Sequence, residues 1–476
     1  MSLARSVDQI YRIPNFEVIC HATKTNLPTR TAMRGPGEIQ SSFVIEDVLE
    51  KVATAIAAVT KEPATLVAQK IRTANMYPAN EEALVTQADD KITLMEWTMP
   101  GIWDRIQEQS KFGAVTEEVD AFNAANLWKK QGVAITPVKY KVGAGFMTAL
   151  VNVYKDGSVL VSHSGMEIGQ GIHTKVIQAA AYALSKLGCQ VPMEMIRIED
   201  SNTSIIPGMQ MTGGSTTSER SCAAVMACCD QLVERLQASF DTAKTKGVNV
   251  DEVTGYDWEK EGGDEEQAAA KTVYAQGPGL WKAAIKQAMG NKVNLSSQSG
   301  WQPDGLVEAA SYHNFGAAFC HVELDVLTGK LEILRTDMVY DCGKSLNPSI
   351  DLGQVEGGFM TGIGFYFRED LAIADDGTMD SDGTWKYKIP CSADVPKSFN
   401  VAFLKETPFK KGILSSKASG EPPLVLSTAA FMAARHAVAA VRADRDLSPD
   451  FDWDAPATLN RILDACGPVP MHLIRI

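Results

Sequence analysis

Residues 150–186 read LVNVYKDGSVLVSHSGMEIGQGIHTKVIQAAAYALSK. Two alternating apolar runs, Leu150–Tyr154 and Val159–His163, flank Lys155–Ser158, where Asp156–Gly157 supplies the backbone freedom of a tight hairpin turn. A glycine-rich turn at 165–171 follows. It opens a segment whose apolar residues recur every three to four positions, which predicts a helix over Thr174–Lys186. A hairpin handed on to a helix argues for an α+β fold.

The same grammar extends outward. A second hairpin is predicted from Ala317–Asp325 and Lys330–Tyr340 around Thr328–Gly329, and a strand at Met195–Glu199. Helical spacing marks Glu38–Val59, Ala64–Thr73, most of Glu81–Asn126, Ser218–Thr242 and Leu352–Gly364. Gly357, Gly358, Gly362 and Gly364 suit close packing of the last of these. Gly132–Gly145 reads as a boundary or a strand-bearing linker. Residues 243–270 are polar and acidic, fitting either an exposed insertion or a disordered loop. No repeat of 20 to 50 residues points to a solenoid.

A chain of 476 residues exceeds what one core ordinarily serves, so two or more domains are expected. The net charge of −13 argues against binding a nucleic-acid backbone. No membrane span is expected, because no run of about 18 apolar residues occurs. The first residues lack a basic-then-apolar leader pattern. Nine cysteines lie scattered without a CxxC pair, and seven histidines without an HxxxH pair. Neither pattern encodes a metal held by side chains. Dispersed thiols without a leader suggest a reducing, cytoplasmic setting.

Chemistry concentrates in a few segments. Lys417–Leu424, KASGEPPL, places Glu421 between a glycine and two prolines, ahead of the apolar run Leu424–Ala440. Pro422 biases Glu421 toward extended backbone, and prolines suit the first turn of a helix. Such a stiff junction suits a fixed general base; an ordinary proline-stopped turn into a surface helix fits the same residues. Three glycine-rich turns precede helices: Arg34–Gly37, Gly165–Gly171 and Thr212–Thr217. Each aims backbone N–H groups and a positive helix end at a polar or anionic ligand, or is simply a loop. Arg34 adds a fork that grips phosphate. Gln170 and Gln354 lie in GQG and LGQVEGG, where glycines permit close approach and the amide both donates and accepts.

Together these segments resemble the molybdenum-binding region of the xanthine dehydrogenase/aldehyde oxidase family. The resemblance runs through TNLPTRTAMRGPGE (25–38), DGSVLVSHSGMEIGQGIHTK (156–175), TGGSTTSE (212–219), the long stretch 322–365, DGTWKYKIP (382–390) and SSKASGEPPL (415–424). LNPSIDLGQVEG and DGTWKYKIP look most like plant-type aldehyde oxidases. The resemblance implies two mixed α/β molybdopterin-binding domains. Residues 1–131 would be the C-terminal part of the first, and 132–476 the second. It implies a molybdopterin cofactor carrying molybdenum, with Glu421 as general base toward its hydroxyl and Gln170 beside the reacting centre. Arg34, Gly169, Gln170, Gly213, Gly214, Ser215, Thr216, Thr217, Gln354 and Gly420 would contact the cofactor.

Pro36, Ile135 and Thr136 would fall on the substrate side. Xanthine-oxidising members carry phenylalanines where this chain has Pro36 and, by alignment, Ile135. Losing each aromatic face removes about 0.5–1.5 kcal/mol of stacking, which favours aldehydes over purines. A xanthine or N-heterocycle dehydrogenase is the alternative within the family. The [2Fe–2S] cysteine sets, the FAD domain and the GGxFGGK-type segment of full-length members do not occur here. A third expectation is therefore an inactive or partner-dependent fragment needing electron-transfer domains. Homodimers are common in the family.

Overall fold

The structure, a computed structural model, describes residues 2–21, 23–25, 27, 32–78, 83–86, 91–143, 145–208, 211–249, 265–301, 311–405 and 407–469. In chain order, the elements before the first long strand are α1 (Ser2–Ser6), α2 (Glu38–Thr60), α3 (Ala64–Asn75), β1 (Ala83–Val85), β2 (Lys91–Thr93), α4 (Met99–Ser110) and α5 (Phe112–Ala125). Next come β3 (Lys129–Val142), β4 (Met147–Val153), β5 (Val159–His163), α6 (Ile172–Leu184), β6 (Ile196–Ile198), α7 (Thr217–Lys246), α8 (Glu265–Gln276), α9 (Pro278–Gly290) and β7 (Ser296–Trp301). The remainder is β8 (Tyr312–Asp325), β9 (Leu331–Tyr340), α10 (Pro348–Ile363), β10 (Ser398–Phe403), α11 (Pro422–Val425), α12 (Thr428–Asp444) and α13 (Leu459–Cys466). The expected α+β class holds.

Two compact units divide these elements. Residues 1–142, 312–410 and 414–476 form the first; 143–311 with 411–413 form the second. The boundary expected at 131/132 falls inside β3, and by packing the chain divides instead at 142/143 and returns to the first unit at 312.

The first unit is built on a four-stranded sheet in the order β10-β9-β8-β3. β3 runs antiparallel to β8 from Lys129↔Asp325 to Val142↔Tyr312, β8 is antiparallel to β9, and β10 lies parallel to β9. The 132–145 segment is thus mostly strand rather than linker. Its residues alternate between two apolar clusters: Ala134, Val138, Tyr140 and Val142 enter one with α10 and α12, while Val133 and Ile135 enter the other with Trp103 and Ile106 of α4. A strand covered on both faces shows no polar–apolar alternation, which is why its sequence was uninformative. Gly132 permits a close helix contact, since a Cβ there would lie 2.0 Å from the Ala433 carbonyl oxygen on α12.

α12 is the core helix of this unit. Pro422–Asp444 is long and apolar enough to cross a membrane by composition, but 89% of its most apolar stretch is buried inside the protein. Its polar His436 is absorbed by a buried network: His436 Nε2 lies 2.6 Å from Glu50, and Arg72 bonds both Glu50 (2.6 Å) and Glu46 (2.7 Å). Every charge in that network has an opposite partner, without which burial would be strongly unfavourable.

The second unit carries the sheet β6-β5-β4-β7. The predicted first hairpin is present, with β4 and β5 paired from Ala149↔His163 to Val153↔Val159. Its turn closes through Gly157 at φ 86° and a 2.9 Å bond from Gly157 N to Tyr154 O. α7, 30 residues long, packs on β4, β7, α6 and α9. Cys222, Cys228 and Cys229 are buried on it, and burial raises all three thiols. Of the expected insertion at 243–270, residues 250–264 lie outside the described residues, and both flanks are helical.

Candidate active site

Glu421 stands at the N-cap position of the single-turn helix α11 in helical rather than the expected extended backbone, makes no side-chain capping bond, and turns its half-buried carboxylate to donors from two distant segments of the first unit. Gly35 N donates to Oε1 at 3.3 Å, and the Tyr140 hydroxyl on β3 donates to Oε2. Burial, and then the Glu421 carboxylate, push the Tyr140 phenol far above its ordinary value, so the tyrosine stays protonated and remains a donor. Gly35 sits at φ 66°, and a Cβ there would touch Leu424, so the turn that brings its N–H to Glu421 suits glycine.

The loop before Glu421 is fixed residue by residue. Lys417 Nζ pairs with the fully buried Asp341 at 2.7 Å. The Ala418 carbonyl accepts from Tyr340 (2.6 Å) and Asn314 (2.5 Å), and its N–H donates to the Tyr312 hydroxyl (2.7 Å). Ser419 donates to Asp351 of α10 at 2.6 Å. The Gly420 carbonyl accepts from Arg34 Nε at 2.7 Å.

Arg34 is therefore a clamp. Besides Gly420, its Nη2 donates to the Gln354 carbonyl at 3.0 Å and the Gln354 side-chain oxygen at 3.2 Å. Burial lowers its basicity from the ordinary value, against the pull of Glu421 and Tyr340. Arg34, Gln354, Gly420 and Glu421, four residues singled out from sequence, thus form one connected group. Pro36 is exposed beside it on the same turn.

Ile135 and Thr136 do not line one site. Both have no exposed surface, Ile135 lies in the apolar cluster with Phe315 and Phe319, and successive residues of a strand point to opposite faces. Residues that sequence reading missed are Tyr140, Glu38, Asn314, Tyr340 and Ser419. Each matters through a partner remote in the chain, for which the sequence carries no local signal.

In the second unit two glycine-rich turns meet. Met166 N donates to Thr212 Oγ1 at 2.9 Å, and a Cβ on Gly165 would lie 2.6 Å from Ser221 Oγ and 2.8 Å from Thr217. Gln170 secures its own turn: its oxygen accepts from Ile168 N (2.7 Å) and its Nε2 donates to Met166 O (2.8 Å). Glu167 accepts from Gly169 N (2.9 Å), Gly171 N (3.0 Å) and His173 N (3.3 Å) ahead of α6. Burial opposes ionisation, yet these N–H groups hold its carboxyl below the ordinary value.

Gly213 N bonds Thr217 Oγ1 at 3.1 Å, with Gly214 and Ser215 both at positive φ. Thr216, the N-cap of α7, makes no side-chain bond to that helix, which leaves its positive end without a side-chain cap. No Cβ contact closer than 3.5 Å would crowd Gly213, and a Cβ on Gly169 would meet open space. The feature here that suits an anionic group is the positive end of α7. Among the described residues no group of three His, Cys, Asp or Glu side chains gathers to hold a metal directly.

Residues 105–396 and residues 1–62 match two family models, each described as a molybdopterin cofactor-binding domain. The chain is 39% identical over 456 residues to an indole-3-acetaldehyde oxidase of Arabidopsis thaliana, covering 93% of this chain and 30% of that protein. It is 36% identical to the abscisic-aldehyde oxidase of Arabidopsis thaliana, covering 93% of this chain and 31% of that one. The chain thus spans about 30% of the length of these relatives. Quinoline 2-oxidoreductase from Pseudomonas putida 86 superposes with a TM-score of 0.73 at 18% identity, over 98% of this chain and 57% of that one. Aldehyde oxidoreductase from Desulfovibrio gigas does so with a TM-score of 0.65 at 19% identity, over 92% and 42%. At such identities these structures establish the shared fold.

Proposed function

We propose that this chain, which belongs to the molybdopterin cofactor-binding domain family of the xanthine dehydrogenase/aldehyde oxidase proteins, is the cofactor-holding and catalytic part of an aldehyde-oxidising molybdenum hydroxylase. The observation that carries the proposal is Glu421: a half-buried carboxylate with a donor on each oxygen, on a loop fixed by Arg34, Asn314, Tyr340 and Asp351. Such preorganisation suits a general base, which must meet its proton at hydrogen-bond distance.

In this reading R–CHO and water give R–COOH, two protons and two electrons. Molybdopterin, when bound, supplies the oxygen-transfer and two-electron chemistry. The chain's own residues orient and move protons. Glu421 takes up a proton as the water-derived oxygen reaches the aldehyde carbon. Gln354 and the Gly420 carbonyl, held together by Arg34, present the polar edge of the first unit. The turns at Gly169–Gln170 and Gly213–Thr217, with the positive end of α7, receive the heterocycle and phosphate of the cofactor. The [2Fe–2S] and FAD centres of the family, on parts of the relatives that this chain does not span, would take up those electrons. A cytoplasmic homodimer completes the proposal, supported by the family resemblance.

The non-aromatic, exposed Pro36 and the aldehyde-oxidising relatives favour aldehydes over xanthine. The test is turnover of indole-3-acetaldehyde and of xanthine by the molybdopterin-loaded protein, alongside Glu421→Gln. We expect aldehyde preference and a loss of at least about 100-fold in kcat for the variant, with molybdenum content unchanged. Retained turnover in Glu421→Gln, or preference for xanthine, would overturn the reading.

A further inference from the structure

Behind Glu421 lies a second carboxylate. Glu38, the first residue of α2, is 8% exposed, and its backbone N–H bonds the Gly35 carbonyl at 3.1 Å. The turn that delivers Gly35 to Glu421 therefore also anchors Glu38. Among the described residues its buried Oε2 has no hydrogen-bond partner, while Ser6 bonds its carboxyl. The charged and titratable groups that face it are Lys139 and Tyr140 on β3, Asp8 after α1, and Glu421 itself. Lys139 is already paired with Asp8 at 2.6 Å, which blunts its help to Glu38. A buried carboxylate oxygen without a donor disfavours charge, and two nearby carboxylates resist ionising together.

We propose that Tyr140 is the positioning residue of the Glu421 base, and that Glu38, buried behind the same turn, sets the pH range of that base through its own charge. The proposal rests on the reading of Glu421 as the base. Tyr140 ties one carboxylate oxygen in place while Gly35 ties the other, which fixes the plane in which Glu421 meets its proton. Glu38 answers to the same charge: burial first, opposed by Ser6 and Lys139 and then assisted by Glu421 and Asp8, pushes its carboxyl up to about 7. When Glu38 loses its proton, a second negative charge appears beside Glu421, and the proton affinity of the pair changes within the working range. No atom or electron is exchanged beyond that one proton.

The first experiment uses the full chain without cofactor. Carbon-13 NMR of carboxyl-labelled glutamates should reveal one residue titrating near pH 7. That signal should vanish in Glu38→Gln, and its midpoint should fall in Glu421→Gln because a neighbouring charge has gone. Absence of a near-neutral glutamate, or a Glu38 midpoint untouched by Glu421→Gln, overturns the coupling. The loaded enzyme provides the second readout. Tyr140→Phe should lower kcat about 10- to 100-fold with little change in KM, and move the acid limb of kcat to higher pH. Glu38→Gln should erase the inflection near pH 7. If Glu421→Gln itself stays active, the base assignment fails. If Glu421→Gln is inactive while Tyr140→Phe and Glu38→Gln keep wild-type profiles, this proposal alone fails.

Discussion

The Lys417–Glu421 loop and the 165–171 turn contain comparable residue types, but their ties span very different distances along the chain. Lys417, Ala418, Ser419 and Gly420 bond partners 68 to 386 positions away. Gln170 and Glu167 bond backbone two to six positions away, and Met166 N reaches 46 positions to Thr212. Lys417 to Ser419 are buried, while Met166 and Ile168 are 66% and 67% exposed. A loop held by remote partners takes its shape from the folded core. A turn held by its own side chains keeps its shape with little outside help, and its amide is already occupied when a ligand arrives. The first arrangement suits a residue that must not move, the second a surface that closes on something.

The contrast can be broken most severely at Lys417. Lys417→Met leaves Asp341 charged and buried without its ammonium, and should cost about 3–5 kcal/mol in denaturant unfolding. A loss under about 1 kcal/mol would mean that the loop is not held by its remote partners.

The pH dependence of stability comes next. The folded carboxyl of Glu38 lies above its unfolded value of about 4.5, near 7, so its contribution is full below the unfolded value and is lost as pH rises through about 7. Up to about 3 kcal/mol of the decline between about pH 5 and 8 should disappear in Glu38→Gln, measured as the change in denaturation midpoint.

Arg34→Met should follow, at about 2 kcal/mol, because two carbonyls and the Gln354 amide lose a charged donor. Its sharper signature is faster amide exchange confined to 418–421. Exchange unchanged there would show that Asn314, Tyr340 and Asp351 suffice.

Smallest is Gln170→Ala. Removing two local bonds from a partly exposed turn should lower stability by less than about 1 kcal/mol, with a small shift in the thermal midpoint, while opening 166–170 to limited proteolysis. A large global loss would erase the distinction between the two regions.

Much of this was legible from residues alone. The Asp156–Gly157 hairpin, the helix at Glu38, the helix after Thr217 and the β8–β9 hairpin all announce themselves through short-range periodicity and turn chemistry, which operate within a few residues. β3 did not. Covered on both faces, it lost the alternation by which a strand is recognised, and the domain boundary was drawn through it. Ile135 and Thr136 were placed on the substrate side by resemblance; both are fully buried in β3, on opposite faces of the strand.

Glu421, Arg34, Gln354 and the two second-unit turns were singled out by residue type and glycine context, and joined into one set by the family resemblance. What the sequence alone determined was which side chains are candidates for chemistry and which local turns display them, because composition and backbone preference are local properties. The tertiary structure alone decided that Arg34 grips Gly420 and Gln354, that Tyr140 and Gly35 hold the two oxygens of Glu421, and that Glu38 is buried behind them. Those relations depend on hydrogen bonds and charge coupling between segments up to 386 residues apart, and such terms exist only once burial has brought the segments together.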